Sequence, residues 1–196
     1  MHWMIKCRSK SGTDELRTAT IPSHIAHLDK FKDSTWFSGP IFTDDGSSAI
    51  GSLRFIEFSD RIGAQEYIES DPYTTEGIFE TIIVERWSPS LNHRQLTYSR
   101  KDETQQFILY CKDVAGSSSI RKLLREKHHE YLNSLSEKII ARGPLLHDNS
   151  DEIIGSACLL DVSDRKEAEE LWANEPYNMA GVYNQITIER WMFGHV

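Results

Sequence analysis

Apolar and polar residues alternate at the start of the chain, with Trp3, Ile5 and Cys7 set against Met4, Lys6 and Arg8. A period of two marks a strand with one face in a core. Phe107, Leu109 and Cys111 repeat the pattern. After the first strand, residues 13–17 read as a short helical turn, and Pro22 suits the start of a fresh helix running to about residue 32. The matching stretch of the second half has no proline and predicts one longer helix over 119–136. Strands are predicted over 36–42 and 49–58, then a helix over 60–69 with Asp60 as its N-cap, then a last strand over 79–87.

Adding 104 to a residue number in the first half lands, without a gap, on a like residue in the second. Cys7 falls on Cys111, Arg17 on Arg121, His24 on His128, Gly39-Pro40 on Gly143-Pro144, and Glu85-Arg86-Trp87 on Glu189-Arg190-Trp191. One fold is therefore encoded twice. The order strand, helix, strand, strand, helix, strand is the ferredoxin-like α+β unit, a four-stranded antiparallel sheet with both helices on one face. The other face needs a cover, and two such sheets packed through their open sides make an α/β barrel, here as a pseudo-dimer within one chain. The expected division is residues 1–88 for the first repeat, 89–104 for a polar linker carrying Pro89, and 105–196 for the second repeat. A further homodimer is left open.

Composition narrows the function more than the fold. The 196 residues carry 30 acidic and 22 basic side chains, a net charge of −8, which repels phosphate backbones and argues against nucleic acid as a partner. No apolar run is long enough to span a membrane, and the amino terminus reads as a strand rather than a secretory leader, so a cytoplasmic protein is expected. Three cysteines are too few for a disulfide framework; Cys158 has no counterpart because Arg54 occupies its matching site.

Three features recur at fixed spacing: a His on the first long helix, a Gly-Pro fifteen residues later, and an acid-Pro-Tyr thirty-two residues after that. They are His24, Gly39-Pro40 and Asp71-Pro72-Tyr73, then His128, Gly143-Pro144 and Glu175-Pro176-Tyr177. A carboxylate bonded to one imidazole nitrogen fixes the tautomer and leaves the other nitrogen as a base near neutral pH, which suits proton transfer. The bland reading stands beside it. His24, Leu28 and Phe31 share one helix face, as do His128, Leu132 and Leu135, so each His also reads as a hydrogen-bonded core residue. Asp-Pro-Tyr likewise reads as a helix cap with proline at the first helical position. Gly39-Pro40 and Gly143-Pro144 read as backbone devices that bend a strand or floor a pocket, and Tyr73 and Tyr177 as fillers or as phenols offered to a ligand. Arg86 and Arg190 read as cross-sheet partners more readily than as holders of a substrate carboxylate. His27 and His129 are not equivalent under the repeat, so no metal site is expected. Without GxGxxG, P-loop or CxxC, no cofactor is expected either.

These motifs resemble the YCII-related family, whose stretch runs Arg-x-x-His-x-x-x-Leu, then Ala-Gly-Pro, then Asp-Pro-Tyr. The resemblance covers nearly the whole chain, twice. It implies a fold similar to muconolactone isomerase and the dimeric α/β-barrel proteins, and a His-Asp dyad that in some members removes chloride from chlorinated hydroxyquinols. Carried over by motif, the catalytic pairs are His24 with Asp71 and His128 with Glu175; Arg125, Gly39, Pro40, Tyr73, Gly143, Pro144 and Tyr177 are the expected substrate-binding residues. The family Arg is Ile21 in the first repeat and Arg125 in the second, while the family Asp is kept as Asp71 and becomes Glu175. The resulting expectation is a lyase or isomerase moving a proton on a small oxygenated or aromatic-derived compound, with the first site favoured because it keeps Asp; the alternative is a non-catalytic small-molecule-binding or scaffold module.

Overall fold

The computed structural model describes all residues, 1–196, as a single closed barrel wrapped by helices. The first repeat runs β1 (His2–Ser9), α1 (Asp14–Leu28), β2 (Thr35–Phe42), β3 (Ala49–Glu57), α2 (Arg61–Glu69), α3 (Pro72–Thr75) and β4 (Phe79–Trp87). The second runs β5 (Gln105–Asp113), α4 (Ser118–Ser134), β6 (Ile139–Leu146), β7 (Ile153–Val162), α5 (Arg165–Ala173), α6 (Pro176–Met179) and β8 (Tyr183–Trp191). No helix is long and apolar enough to cross a membrane.

Around the barrel the order is β1-β3-β2-β8-β5-β7-β6-β4, every pairing antiparallel. The repeats join edge to edge at two short seams, Ile41 opposite Trp191 in one and Trp87 opposite Leu145 in the other. Closure removes the unpaired strand edges that a lone ferredoxin-like sheet would expose.

The period of two in β1 is correct, and its second face is covered by the other repeat as far as Lys6, with Arg8 left exposed. Trp3, Ile5 and Cys7 pack under the helices of their own repeat, while Met4 joins a second core inside the barrel with Phe37, Phe55, Ile108, Leu159 and Trp191. Lys6 and Arg8 also point inward, where Glu189 of the other repeat meets them at 2.6 and 2.9 Å. The pseudo-twofold repeats this: Glu85 meets Lys112 at 2.6 Å and the Tyr110 hydroxyl at 3.3 Å. Polar residues on that face are therefore partners across the repeat boundary, Lys6 largely covered and Arg8 still exposed to solvent.

Pro22 does not open a helix; it lies inside α1, which runs unbroken from Asp14. Its exposed position explains the tolerance, since the carbonyl that loses an N–H partner there can turn to water. Asp60 caps α2 as expected, accepting from the Gly63 N–H at 2.9 Å.

The chain after each repeat's last strand crosses onto the other repeat. The Ser88 N–H donates to the Pro144 carbonyl at 3.0 Å and Ser90 to Arg142 at 2.8 Å, while Met192 donates to Pro40 at 3.1 Å and Gly194 to Ser38 at 2.8 Å. A Cβ on Gly143 would lie 1.9 Å from the Ser88 carbonyl oxygen, and one on Gly39 would lie 1.8 Å from that of Met192. Each Gly-Pro is thus the place where the two halves' backbones touch.

Candidate active site

His24 on α1 and His128 on α4 face the sheet, and each meets the acid that its repeat supplies forty-seven residues later. His24 Nδ1 lies 2.7 Å from Asp71 Oδ1, and His128 Nδ1 lies 2.6 Å from Glu175 Oε1. Both carboxylates are fully buried and both cap a short helix. Asp71 accepts from the Tyr73 N–H at 2.9 Å. Glu175 divides its oxygens, Oε1 taking the Tyr177 N–H at 3.1 Å and Oε2 the Asn178 N–H at 2.9 Å, so the pair closes despite the extra methylene. Capping and pairing with histidine are one arrangement.

A tyrosine ring stacks on each imidazole, Tyr73 on His24 at 3.8 Å and 10° and Tyr177 on His128 at 3.9 Å and 17°. Arg17 and Arg121 lie 4.6 and 4.8 Å from the same tyrosine rings. The Tyr177 hydroxyl donates to the Arg121 carbonyl at 3.0 Å, so that phenol is committed to the backbone. This ladder of arginine, tyrosine, histidine and carboxylate sets the plane and tautomer of each imidazole.

The two sites part at one strand position. In β3 it holds Arg54, whose Nη2 lies 2.7 Å from His24 Nε2. A guanidinium has no acceptor, so Nε2 must accept and the ring is neutral, its only proton on Nδ1 facing Asp71. Burial lowers the His24 pKa; the Asp71 hydrogen bond opposes this and the Arg54 charge adds to it. Burial works against ionising Asp71, but the hydrogen bond from His24 and the charge of Arg54 outweigh it and hold the carboxyl below its usual range. The lone pair of His24 is occupied.

In β7 the same position holds Cys158, which does not reach the imidazole. Burial pushes its thiol up to about 12, leaving it protonated and a poor nucleophile. His128 Nε2 makes no hydrogen bond to the protein and the residue lines a cavity of about 650 Å³. Arg125, Gly143, Pro144 and Tyr177 line that cavity together. Gly39, Pro40, Tyr73 and His24 line neither of the two principal cavities, of which one lies at His128 and the other along the linker.

Other candidates have structural places. Arg86 donates to the His147 and Ser150 carbonyls at 3.0 and 2.9 Å, and Arg190 to the Asp44 carbonyl at 3.0 Å, so each pins the other repeat's hairpin tip. His27 is buried against Phe31 and Tyr67, whereas His129 sits at the cavity edge. No three His, Cys, Asp or Glu side chains are grouped to hold a metal ion. Sequence reasoning did not find Arg54, Lys122, Arg142, Ser88 or Ser90 as site residues. The signal was the mismatch between repeats: Arg54 against Cys158, Thr18 against Lys122, Ser38 against Arg142. Ser88 and Ser90 belong to the first repeat's exit, and only the fold carries them over the second repeat's cavity.

The YCII-related domain model matches residues 1–88 and again residues 105–192. The chain belongs to that family. As a tandem YCII-related protein it shares its fold over nearly its whole length with a mutant chlorite dismutase from Candidatus Nitrospira defluvii, 7% identical over 98% of this chain and 91% of that chain at a TM-score of 0.64. An anthrone oxidase-like protein is 9% identical over 99% of this chain and 91% of that chain, at a TM-score of 0.58. At these identities the likeness is one of fold. The 5-chloro-2-hydroxyhydroquinone dehydrochlorinase of Burkholderia phenoliruptrix AC1100 is 27% identical over 45% of this chain and 94% of that chain, at a TM-score of 0.43. A comparison with curated proteins finds no match.

Proposed function

We propose that this YCII-related protein is a lyase or isomerase working without a cofactor, and that its second repeat is the working site. The observation that carries the reading is the state of His128: Nδ1 is tied to a buried carboxylate at 2.6 Å, Nε2 has no protein partner, and the residue lines the cavity. Such an imidazole takes a proton at Nε2 from a bound compound while Glu175 stabilises the imidazolium, then returns the proton to another atom. The substrate class is a small oxygenated or aromatic-derived organic compound. His24, whose lone pair accepts from Arg54, serves the architecture of the first repeat. This reverses the order of the two sites expected from Asp71 against Glu175.

One observation favours the second reading, a non-catalytic ligand-binding module. The same ladder persists around His24 with its base occupied, so the pair has an architectural use of its own. Hydrogen exchange into enolisable acids, lactones or hydroxyquinols, followed in His128→Gln and Glu175→Gln, separates the two. The catalytic reading expects that exchange to fall by about 100-fold or more in His128→Gln. Turnover that survives His128→Gln but not His24→Gln would defeat it.

A further inference from the structure

The His128 cavity carries a charge pattern that proton transfer alone does not use. The molecule is acidic, with 30 Asp and Glu against 22 Lys and Arg, yet Lys122 and Arg125 from α4 and Arg142 from β6 converge on this one cavity. Their first-repeat equivalents are Thr18, Ile21 and Ser38, so these cations belong to the second site alone. Arg121 also lines the cavity, but it is neutralised by Asp113 through two contacts of 2.6 Å. Lys122 and Arg125 enter no ion pair, and the Arg142 guanidinium meets only the neutral Asn133 amide oxygen, at 2.6 Å.

The rest of the lining limits what those cations can receive. Leu132, Ala157 and Trp172 give the cavity apolar wall, which suits a hydrocarbon body and not a bare inorganic ion. Asp151 and Glu152 stand on the rim; Asp151 is drawn to Arg86 at 3.3 Å, whereas Glu152 remains to repel a second negative charge. An apolar body with one anionic end fits this lining. Burial works against the charge of Arg142, a cost that an anion beside it would relieve.

We propose that the cavity binds a small organic carboxylate, its carboxylate held by Arg125 and Arg142 and its apolar body against Leu132 and Trp172, beside His128. The assignment rests on the reading of the second repeat as the working site and names its substrate class. It also adds a chemical consequence: removing a proton next to a carboxylate moves negative charge onto the carboxylate oxygens, where the guanidinium groups stabilise it.

The test uses benzoate, benzamide of the same shape without the charge, and inorganic phosphate, read at the indole N–H signal of Trp172 and assigned with Trp172→Phe. Benzoate should bind at least ~10-fold more tightly than benzamide, and Arg125→Gln and Arg142→Gln should each weaken benzoate about 10-fold while leaving benzamide unchanged. The benzamide titration in each variant reports whether the cavity is still formed. No benzoate binding, equal binding of benzamide, or indifference to both arginine changes overturns the proposal, and tighter binding of phosphate replaces the carboxylate by a phosphoryl group. Hydrogen exchange in the wild type tests the proton-transfer reading separately: benzoate binding without exchange defeats that reading and leaves the carboxylate site standing.

Discussion

Two imidazoles with equivalent fold positions, each with a stacked tyrosine and a buried acid, differ at Nε2, where His24 meets Arg54 and His128 meets no protein group. Arg54 donates to His24 Nε2, so protonating His24 would set two cations 2.7 Å apart in a buried site. The stability consequence has a definite sign. Burial foremost, opposed by Asp71 and helped by Arg54, holds the folded His24 pKa below the ordinary value of 6.5. Its contribution is therefore complete above about pH 6.5 and is lost as the pH falls below that value, because the unfolded chain binds the extra proton. Burial lowers His27 in the same direction. Thermal unfolding should accordingly show Tm falling between pH 7 and pH 5, and the fall should shrink by about a few degrees in His24→Gln, which does not titrate. Identical pH profiles for the two proteins would remove His24 as the source. At this scale the sequence was half legible. The spacing of His, Gly-Pro and acid located both pairs because it recurs unchanged in the two copies. Arg54 escaped because it does not recur, Cys158 standing at its equivalent, and only the packing of α1 over β3 brings it to His24.

Among elements, the close approach at Gly143 is where stability and site geometry meet. Ser88 crosses Gly143 with its carbonyl oxygen where a Cβ would stand, and its N–H donates to the next carbonyl, that of Pro144. The obstructing atom is backbone, so relief requires the two strands to part. Gly143→Ala should cost about 2 kcal/mol, a drop of several degrees in Tm, and should move Ser88 and Ser90, which line the cavity. A melting curve gives the first effect, and weakened benzoate binding by an otherwise folded variant gives the second. An unchanged Tm would mean that the seam tolerates a gap. Most elements could be read from periodicity and caps, with strand β4 matched to the residue. The exceptions share a cause. Pro22 looked like a helix start because local preference places it there, whereas the helix continues past it on a face where water can replace the lost bond. The alternation in β1 marked only one core face; the partners of the other, Glu189 above all, lie in the repeat that was expected to cover it.

At the scale of the whole molecule, duplication makes each half the other's core, seam and cavity wall. The barrel interior mixes residues of both repeats, Met4, Phe37 and Phe55 from the first with Ile108, Ile140 and Leu159 from the second. Glu85 and Glu189 neutralise lysines of the opposite half, and the exits at 88–90 and 192–194 lie on the opposite Gly-Pro. A separated second repeat, residues 105–196, would expose that apolar face and the free edges of β6 and β8 together. Two copies can restore the barrel, and then residues 192–194 of each would cover Gly143 of the other where Ser88 and Ser90 now lie. Residues 105–196 expressed alone should therefore run as a dimer or aggregate in size-exclusion chromatography with light scattering. Even the dimer should bind benzoate differently from the full chain, since its cavity loses two serine hydroxyls and gains the Met192 and Phe193 side chains nearby. A stable monomer with an intact cavity would show that the halves are independent domains, and that the first repeat is dispensable to the site. The seam geometry argues otherwise: a first repeat whose own histidine is occupied by Arg54 still supplies Ser88 and Ser90 to the wall of the cavity at His128.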